Sequence, residues 1–165
     1  MGVTGSGKTT VGEALSRRLG VPFADADDFH SPASIAKMSA GVPLQDADRL
    51  PWLRSIGAWL AGHAATGAVA SCSALKRAYR DVLRASAPSV AFVHLHGDQE
   101  TVRARVAARP GHFMPASLVA SQFQTLEPLE PGEHGVVLDL RRGVEELVED
   151  YLAAAGARPA TDPRA

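Results

Sequence analysis

Short apolar runs alternate along this chain with longer segments of helical periodicity. Val11, Leu15 and Leu19 recur at intervals of four, which predicts one amphipathic helix. The apolar runs 68–72 and 90–95 are typical of buried strands. Predicted strands cover residues 21–24, 68–72, 90–95 and 136–138. Predicted helices cover residues 7–19, 34–40, 46–65, 76–85, 99–108, 116–126 and 144–155. Strands that alternate with helices in this way favour parallel βαβ units, so we predict a three-layer α/β fold with a parallel sheet.

Composition limits the domain count and the class of protein. The 165 residues are 45% hydrophobic and 21% charged, which predicts one globular domain. We place this domain at residues 1–155 and expect the Ala/Pro/Arg-rich residues 156–165 to form a disordered tail. The net charge of −1 gives no electrostatic basis for binding nucleic acid or an anionic membrane.

Cysteine usage and hydropathy bear on the compartment. The single cysteine, Cys72, excludes an intramolecular disulfide and a zinc site with several cysteines. No apolar run approaches the ~20 residues that span a bilayer, and no signal-peptide pattern precedes the first motif. We therefore expect a cytoplasmic protein in a reducing environment.

The first motif is a glycine-rich loop at the start of the chain. Gly2-Val3-Thr4-Gly5-Ser6-Gly7-Lys8-Thr9 matches G-x-x-x-x-G-K-[ST] at every fixed position. In such loops the backbone N–H groups and the following helix N-terminus surround phosphate oxygens. We predict nucleotide binding by this loop, with Lys8 at the β- and γ-phosphates and Thr9 on Mg²⁺. The predicted nucleotide-binding residues are Gly2, Val3, Thr4, Gly5, Ser6, Gly7, Lys8, Thr9 and Thr10. The alternative is a chance match in a glycine-rich chain.

The glycine loop normally follows a strand that is central to this fold class. Only Met1 stands before Gly2 in this sequence. We therefore expect the first strand to be largely missing from the chain.

An acidic turn follows the strand predicted at 21–24. Asp25 and Asp27 are two residues apart, so on an extended strand end they would share a face. Phosphoryl transfer needs one carboxylate near the metal and another that accepts a hydroxyl proton. We assign Asp25 to Mg²⁺ and Asp27 to proton acceptance. The alternative is a solvated acidic turn in which Asp27 or Asp28 caps a helix.

From Gly2 to about Leu152 the chain resembles the gluconokinases, a small P-loop family that phosphorylates D-gluconate. Beyond the glycine loop, the resemblance rests on several quoted segments. These are Asp25-Ala26-Asp27-Asp28-Phe29-His30, Ile35-Ala36-Lys37-Met38, Gly41-Val42-Pro43-Leu44, Asp46-Ala47-Asp48-Arg49-Leu50-Pro51-Trp52-Leu53, Cys72-Ser73-Ala74-Leu75-Lys76, Tyr79-Arg80-Asp81, Gly111-His112-Phe113-Met114 and Ser121-Gln122-Phe123-Gln124-Thr125-Leu126-Glu127. The resemblance implies ATP- and Mg²⁺-dependent transfer of the γ-phosphate to the 6-hydroxyl of gluconate, and a possible homodimer.

Gluconate is a polyol with a carboxylate, so its site needs a cation and several hydrogen-bonding groups. Arg49, Lys76 and Arg80 are the candidate cations. Lys76 and Arg80 are four apart on a predicted helix, so we expect them to face the same way. His30 and Gln122 are candidates for the hydroxyls. The alternatives are surface ion pairs for the arginines and a structural role for His30. For Trp52 and Trp59, core packing is the favoured interpretation.

A helix break predicts a lid. Arg105 and Arg109 are four apart and precede Pro110-Gly111. We expect a mobile lid over about 105–117 whose closure brings Arg105 onto the triphosphate and Arg109 onto the transferring phosphoryl group. Two other functions stay open: a related kinase of another acid such as shikimate, and a nucleotide-binding module without activity because its first strand is missing.

Overall fold

A computed structural model describes residues 1–40, 42–108 and 116–156. It has seven α-helices and four strands in these ranges, and each predicted element is confirmed with its ends displaced by at most three residues. The helices are α1 (Lys8–Leu19), α2 (Pro32–Ser39), α3 (Asp46–Gly62), α4 (Arg77–Ser86), α5 (Gln99–Ala107), α6 (Ala116–Thr125) and α7 (Val144–Gly156). The strands are β1 (Phe23–Asp25), β2 (Val69–Ser71), β3 (Phe92–His96) and β4 (Gly135–Asp139). A short 3-10 helix, Ala26–Phe29, follows β1 directly, and we call it the acidic turn.

The strands form two parallel pairs between two groups of helices. β1 pairs with β2, with Phe23 opposite Val69, and β3 pairs with β4, with Phe92 opposite Gly135. β2 contacts both α1 and α3, while α7 packs on α1 and β4, and α3 packs on α4. Strands therefore lie between the two helical groups, and the predicted three-layer α/β fold with parallel strands is confirmed.

Met1 lies between the two strand pairs. Its amino group donates to Val93 O, and its carbonyl accepts from Leu95 N at 3.0 Å. The next residue, Gly2, donates through its N–H to Ser73 O at 3.1 Å, just beyond β2. A cavity of about 150 Å³ is lined here by residues of α1, α3, β2 and β3 together with Met1. The backbone of Met1 thus stands where the sequence predicts a strand ahead of the glycine loop.

Two apolar clusters fix the helices that flank the strands. One cluster contains the fully buried Val102 and Leu140 and joins α1, α5, α6 and α7 to β3 and β4. The other joins α3 to α4 through Leu53 and Ile56 on one helix and Leu83 on the other. Burial of each such side chain stabilises the fold by about 1.5–3 kcal/mol. The second cluster holds in register the two helices that carry the predicted acceptor-binding residues.

The helices in the described residues include none with the length and apolar character needed to cross a bilayer.

Candidate active site

The glycine loop leads from Met1 into α1, and a side chain in place of its glycines would strain the backbone or clash with neighbouring residues. Gly5 has φ 76°, and a Cβ there would lie 2.4 Å from Val106 Cγ2. Gly7 caps α1 at φ 93°, and no side chain hydrogen-bonds to the first turn at this cap. The N–H groups at the start of α1 therefore face the loop's concave side without competition from a capping side chain, as an anion site requires.

Lys8 lies at the inner rim of this loop. Its Nζ donates to Val3 O at 2.9 Å. Burial lowers the pKa of Lys8, and the neighbouring charges of Asp27 and Asp25 oppose that shift. The ammonium is thereby fixed to the loop backbone, in the field of the two carboxylates.

Thr9 and Asp25 form a pair of oxygen ligands beside the loop. Thr9 Oγ1 donates to Asp25 Oδ2 at 2.9 Å. The described residues contain no group of three or more His, Cys, Asp or Glu side chains able to hold a metal ion. Mg²⁺ takes only one or two carboxylates in kinase sites and completes its shell with water and phosphate oxygens. A hydroxyl and a carboxylate at hydrogen-bond distance therefore fit Mg²⁺.

Asp27 lies on the 3-10 helix of the acidic turn and not on the extended strand end that the sequence predicted. The chain enters a 3-10 helix at Ala26, with Asp25 as its N-cap residue, and Asp25 Oδ1 accepts from Asp27 N at 3.1 Å. The prediction that the two aspartates share the face of an extended strand is therefore wrong. Asp25 turns to Thr9, whereas the side chain of Asp27 is 88% exposed. Both still line the same cleft.

A cleft of about 610 Å³ collects ten of the predicted site residues. They are Thr4, Gly5, Gly7, Lys8, Thr9, Thr10, Asp25, Asp27, Arg105 and Gln122. The cleft is also lined by Ser71 at the end of β2, by the next two residues, Cys72 and Ser73, and by Trp52. The favoured interpretation of Trp52 as a core residue is confirmed, since it lies in the apolar cluster of α3 and α4 and is 8% exposed. Its place in the lining of the cleft was not predicted.

Two of the lining side chains, Gln122 and Arg105, form hydrogen bonds with backbone groups of neighbouring segments. Gln122 Oε1 accepts from Thr4 N at 2.6 Å, so α6 contacts the glycine loop directly. Arg105 Nη2 donates to Leu140 O at 2.6 Å and thus joins α5 to the turn after β4. Arg109, most of the predicted lid and tail residues 157–165 lie outside the described residues.

Beside the acidic turn, the first turn of α3 meets the start of α4 in a cluster that we call the cationic corner: Asp46, Arg49, Lys76 and Tyr79. Lys76 Nζ donates to both carboxylate oxygens of Asp46 at 3.0 Å, and the Tyr79 hydroxyl donates to the same group. Arg49 Nη1 donates to the Tyr79 hydroxyl at 3.4 Å. These hydrogen bonds, from Tyr79 first and then Lys76, lower the pKa of Asp46. Arg49 and Lys76 were predicted from the sequence. Asp46 and Tyr79 were not, although both lie in segments that resemble the gluconokinases.

Arg80 does not join this corner. Its guanidinium is fully buried, donates to both carboxylate oxygens of Glu133 at 2.7 Å, and also donates to the carbonyls of Glu127 and Pro128. The expectation that Arg80 and Lys76 face the same way is wrong, because α4 begins at Arg77 and Lys76 is its extended N-cap residue. Arg80 instead fastens the loop after α6 to α4, and its bonds hold the pKa of Glu133 well below the usual range.

Comparisons with known proteins agree on the family. The shikimate kinase family model matches residues 4–126. The chain is 49% identical to the gluconokinase of Gluconobacter oxydans (strain 621H) over 93% of its own length and 89% of that protein's. It is 44% identical to the thermosensitive gluconokinase of Escherichia coli (strain K12), over 93% and 84% of the two lengths.

A solved structure gives the same result. The crystal structure of a gluconokinase from Sinorhizobium meliloti 1021 superposes with a TM-score of 0.85 at 47% identity, over 94% of this chain and 89% of that one. Together with the glycine loop and its lysine, these matches show that the chain belongs to the gluconokinase family of P-loop kinases.

Proposed function

We propose that this protein transfers the γ-phosphoryl group of ATP to the 6-hydroxyl of D-gluconate, with Mg²⁺ as the metal. One observation carries the proposal: a single cleft holds Lys8, the Thr9–Asp25 pair and Asp27. The gluconokinase relatives support the choice of acceptor.

The nucleotide side works by position and charge. Phosphoryl transfer asks little covalent chemistry of the protein, so catalysis rests on alignment and electrostatic stabilisation. The loop N–H groups and Lys8 would hold the β- and γ-phosphates. Thr9 and, through water, Asp25 would hold Mg²⁺, which supplies neutralisation of charge on the phosphoryl group.

The acceptor side supplies the base and the recognition groups. Asp27, exposed in the cleft, would accept the proton of the attacking hydroxyl. The cationic corner is not part of the lining of the cleft, and we assign it to the carboxylate of gluconate because Lys76 and Tyr79 bind a carboxylate there, that of Asp46, which the substrate would have to replace. Gln122 lines the cleft and would bond a hydroxyl. His30 lies beside Asp27 but does not line the cleft, so we assign it no direct contact with the acceptor.

The proposal also includes the domain bounds, the lid and the assembly expected from the sequence. Residues 1–155 would form one catalytic domain, and a lid over about 105–117 would bring Arg105 and Arg109 onto the phosphates. The resemblance to gluconokinases supports a cytoplasmic homodimer.

Replacement of Asp27 tests the chemical step. We expect Asp27→Asn to leave the dissociation constant for ATP within about twofold and to lower turnover with gluconate by at least about a hundredfold. The amide keeps the shape of the side chain and cannot accept the proton. A coupled ADP assay and nucleotide titration measure the two quantities, and near-normal turnover would refute the role of Asp27.

A substrate panel tests the acceptor. Shikimate is the second candidate, because the shikimate kinase family model covers residues 4–126. The same assay with gluconate, shikimate and nucleoside monophosphates should give the highest kcat/KM for gluconate. A higher value for shikimate would replace the proposed substrate, and no turnover with any acceptor would favour a binding module.

A further inference from the structure

The acidic turn is fastened to α3 by a buried hydrogen bond. Trp52 Nε1 donates to Ala26 O at 2.6 Å, and the indole is almost fully buried. Ala26 immediately precedes Asp27, so this bond fixes the peptide from which the proposed base projects. Loss of the donor would leave a buried carbonyl without a partner, which makes the bond an effective restraint on a four-residue helix.

The same indole supports a second ring. The imidazole of His30 stacks on Trp52 with ring centroids 4.7 Å apart and planes inclined by 5°. The side chain of His30 is only 8% exposed. Its Nε2 lies 3.9 Å from Asp27 Oδ1, at the end of the same turn. The stack therefore sets the plane of the imidazole that faces the carboxylate.

His30 Nε2 faces Asp27 at 3.9 Å, beyond hydrogen-bond distance. Its Nδ1 is buried and has no hydrogen-bond partner among the described residues. Burial lowers the pKa of His30, opposed by the charge of Asp27 and reinforced by that of Arg49, so the ring is neutral near pH 7. A neutral imidazole carries one N–H donor. With the donor on Nε2, the ring faces the carboxylate as a donor.

We propose that Trp52 and His30 act as a positioning pair that holds the Asp27 carboxylate at the acceptor hydroxyl. Trp52 fixes the backbone at Ala26 and the plane of His30, and His30 limits the rotation of an otherwise exposed carboxylate. This inference rests on the proposed role of Asp27 as proton acceptor. A displacement of about 1 Å at a reacting group lowers turnover by as much as about a hundredfold, so such restraint has kinetic weight.

Helix α3 offers an internal control for this pair. Trp59 and His63 also form a ring contact, with centroids 4.5 Å apart, and Trp59 packs edge-on against Phe29 at the far end of the acidic turn. No hydrogen bond from Trp59 to the turn is found in the described residues. Trp59 and His63 therefore provide a second tryptophan–histidine contact on the same helix, tilted by 43° and with a less buried tryptophan, without the polar contacts to Ala26 and Asp27.

The experiment compares Trp52→Phe and His30→Phe with Trp59→Phe and His63→Phe. Phenylalanine keeps an aromatic ring and removes the N–H. We expect each of the first two variants to lower kcat about tenfold to a hundredfold with KM for ATP within about twofold. The two controls should stay within about twofold in both parameters. His30→Gln, whose amide nitrogen reaches the position of Nε2, should recover part of the turnover lost in His30→Phe.

A double variant tests whether the pair acts through Asp27. In the Asp27→Asn background, Trp52→Phe should lower the residual turnover by less than twofold, because the group that it positions is gone. An undiminished effect in that background, or equal kcat in Trp52→Phe and Trp59→Phe, would overturn the positioning role. If Asp27→Asn itself retains full turnover, the proposed base fails instead, and the two failures are thereby distinguished. If Trp52→Phe does not fold, the two His30 variants carry the same comparison.

Discussion

The cleft has two sides that are built in different ways. The loop side, residues 2–10, is one continuous segment whose backbone turns around the place that we propose for the phosphates. The side that we assign to the acceptor gathers Asp27 from the acidic turn and Gln122 from α6, which line the cleft. We also assign to it Arg49 from α3 and Lys76 from the start of α4, which are not among the lining residues. Loop-side function depends mostly on local backbone geometry. Acceptor-side function depends on how helices far apart in sequence are fastened to each other.

Lys8→Met should have the largest effect, and it should be confined to the loop side. Loss of the ammonium removes charge stabilisation at the phosphates, so we expect turnover to fall by at least about a thousandfold. Lys8→Arg should recover little, because a planar guanidinium does not fit the place of a compact ammonium against Val3 O. Steady-state kinetics and thermal unfolding measure both variants. Unchanged turnover in Lys8→Met would break the distinction between the two sides.

Glu133→Gln should affect the acceptor side through the fold. Glu133 is buried and binds both Arg80 and Arg84, so its neutralisation leaves the buried Arg80 without a counter-charge, while Arg84 keeps Asp81. We expect the free energy of unfolding in urea to fall by about 3 kcal/mol. In the unsubstituted protein the depressed pKa of Glu133 means that this contribution is present above about pH 4.5 and is lost as the pH falls further.

The control for Glu133 is its neighbour Glu130. Glu130 also accepts from an arginine, Arg77 Nη1 at 2.7 Å, but its side chain is 62% exposed. Glu130→Gln should cost less than about 1 kcal/mol. Equal losses in the two variants would contradict the structural role that we give to the Arg80–Glu133 pair.

Lys76→Gln should have the smallest effect and should leave the loop side unchanged. Loss of one charged hydrogen bond to a carboxylate should raise KM for gluconate about tenfold, with KM for ATP within about twofold. Lys37→Gln is the matched control, since Lys37 likewise pairs with an aspartate in the first turn of α3, Asp48 at 2.6 Å, outside the cationic corner. A rise in KM for ATP in Lys76→Gln, or an equal rise for gluconate in Lys37→Gln, would argue against the corner as the carboxylate site.

The two sides also differ in how well the sequence predicted them. Helix and strand positions followed from apolar periodicity, because that pattern records which face of each element is buried. Lys8, Thr9 and Asp25 were placed correctly in one cleft, since the glycine loop and the end of β1 meet at the same edge of the strands. For Asp27 the position was right and the reason was wrong: spacing alone does not reveal that the chain leaves the strand for a 3-10 helix at Ala26.

Arg80 and His30 show what local spacing does not reveal. The interval of four suggested that Arg80 accompanies Lys76, but the helix starts one residue later and Glu133, 53 positions away, captures the guanidinium. His30 is a candidate for a hydroxyl from the sequence, and the structure stacks its ring on the indole of Trp52 with the side chain 8% exposed. Neither partner is visible in a local pattern.

The sequence alone determined the glycine loop, the order of strands and helices, and the family to which the chain belongs, because these depend on local backbone preferences and on contiguous motifs. Only the tertiary structure decided which charged groups remain in the cleft. A buried charge is stabilised only when the packed elements bring an opposite charge within reach. Arg80 is therefore paired with Glu133 in the interior, while Lys76 remains partly exposed in the cationic corner. Packing of α3 against the acidic turn likewise decided that Trp52 stands beside Asp27.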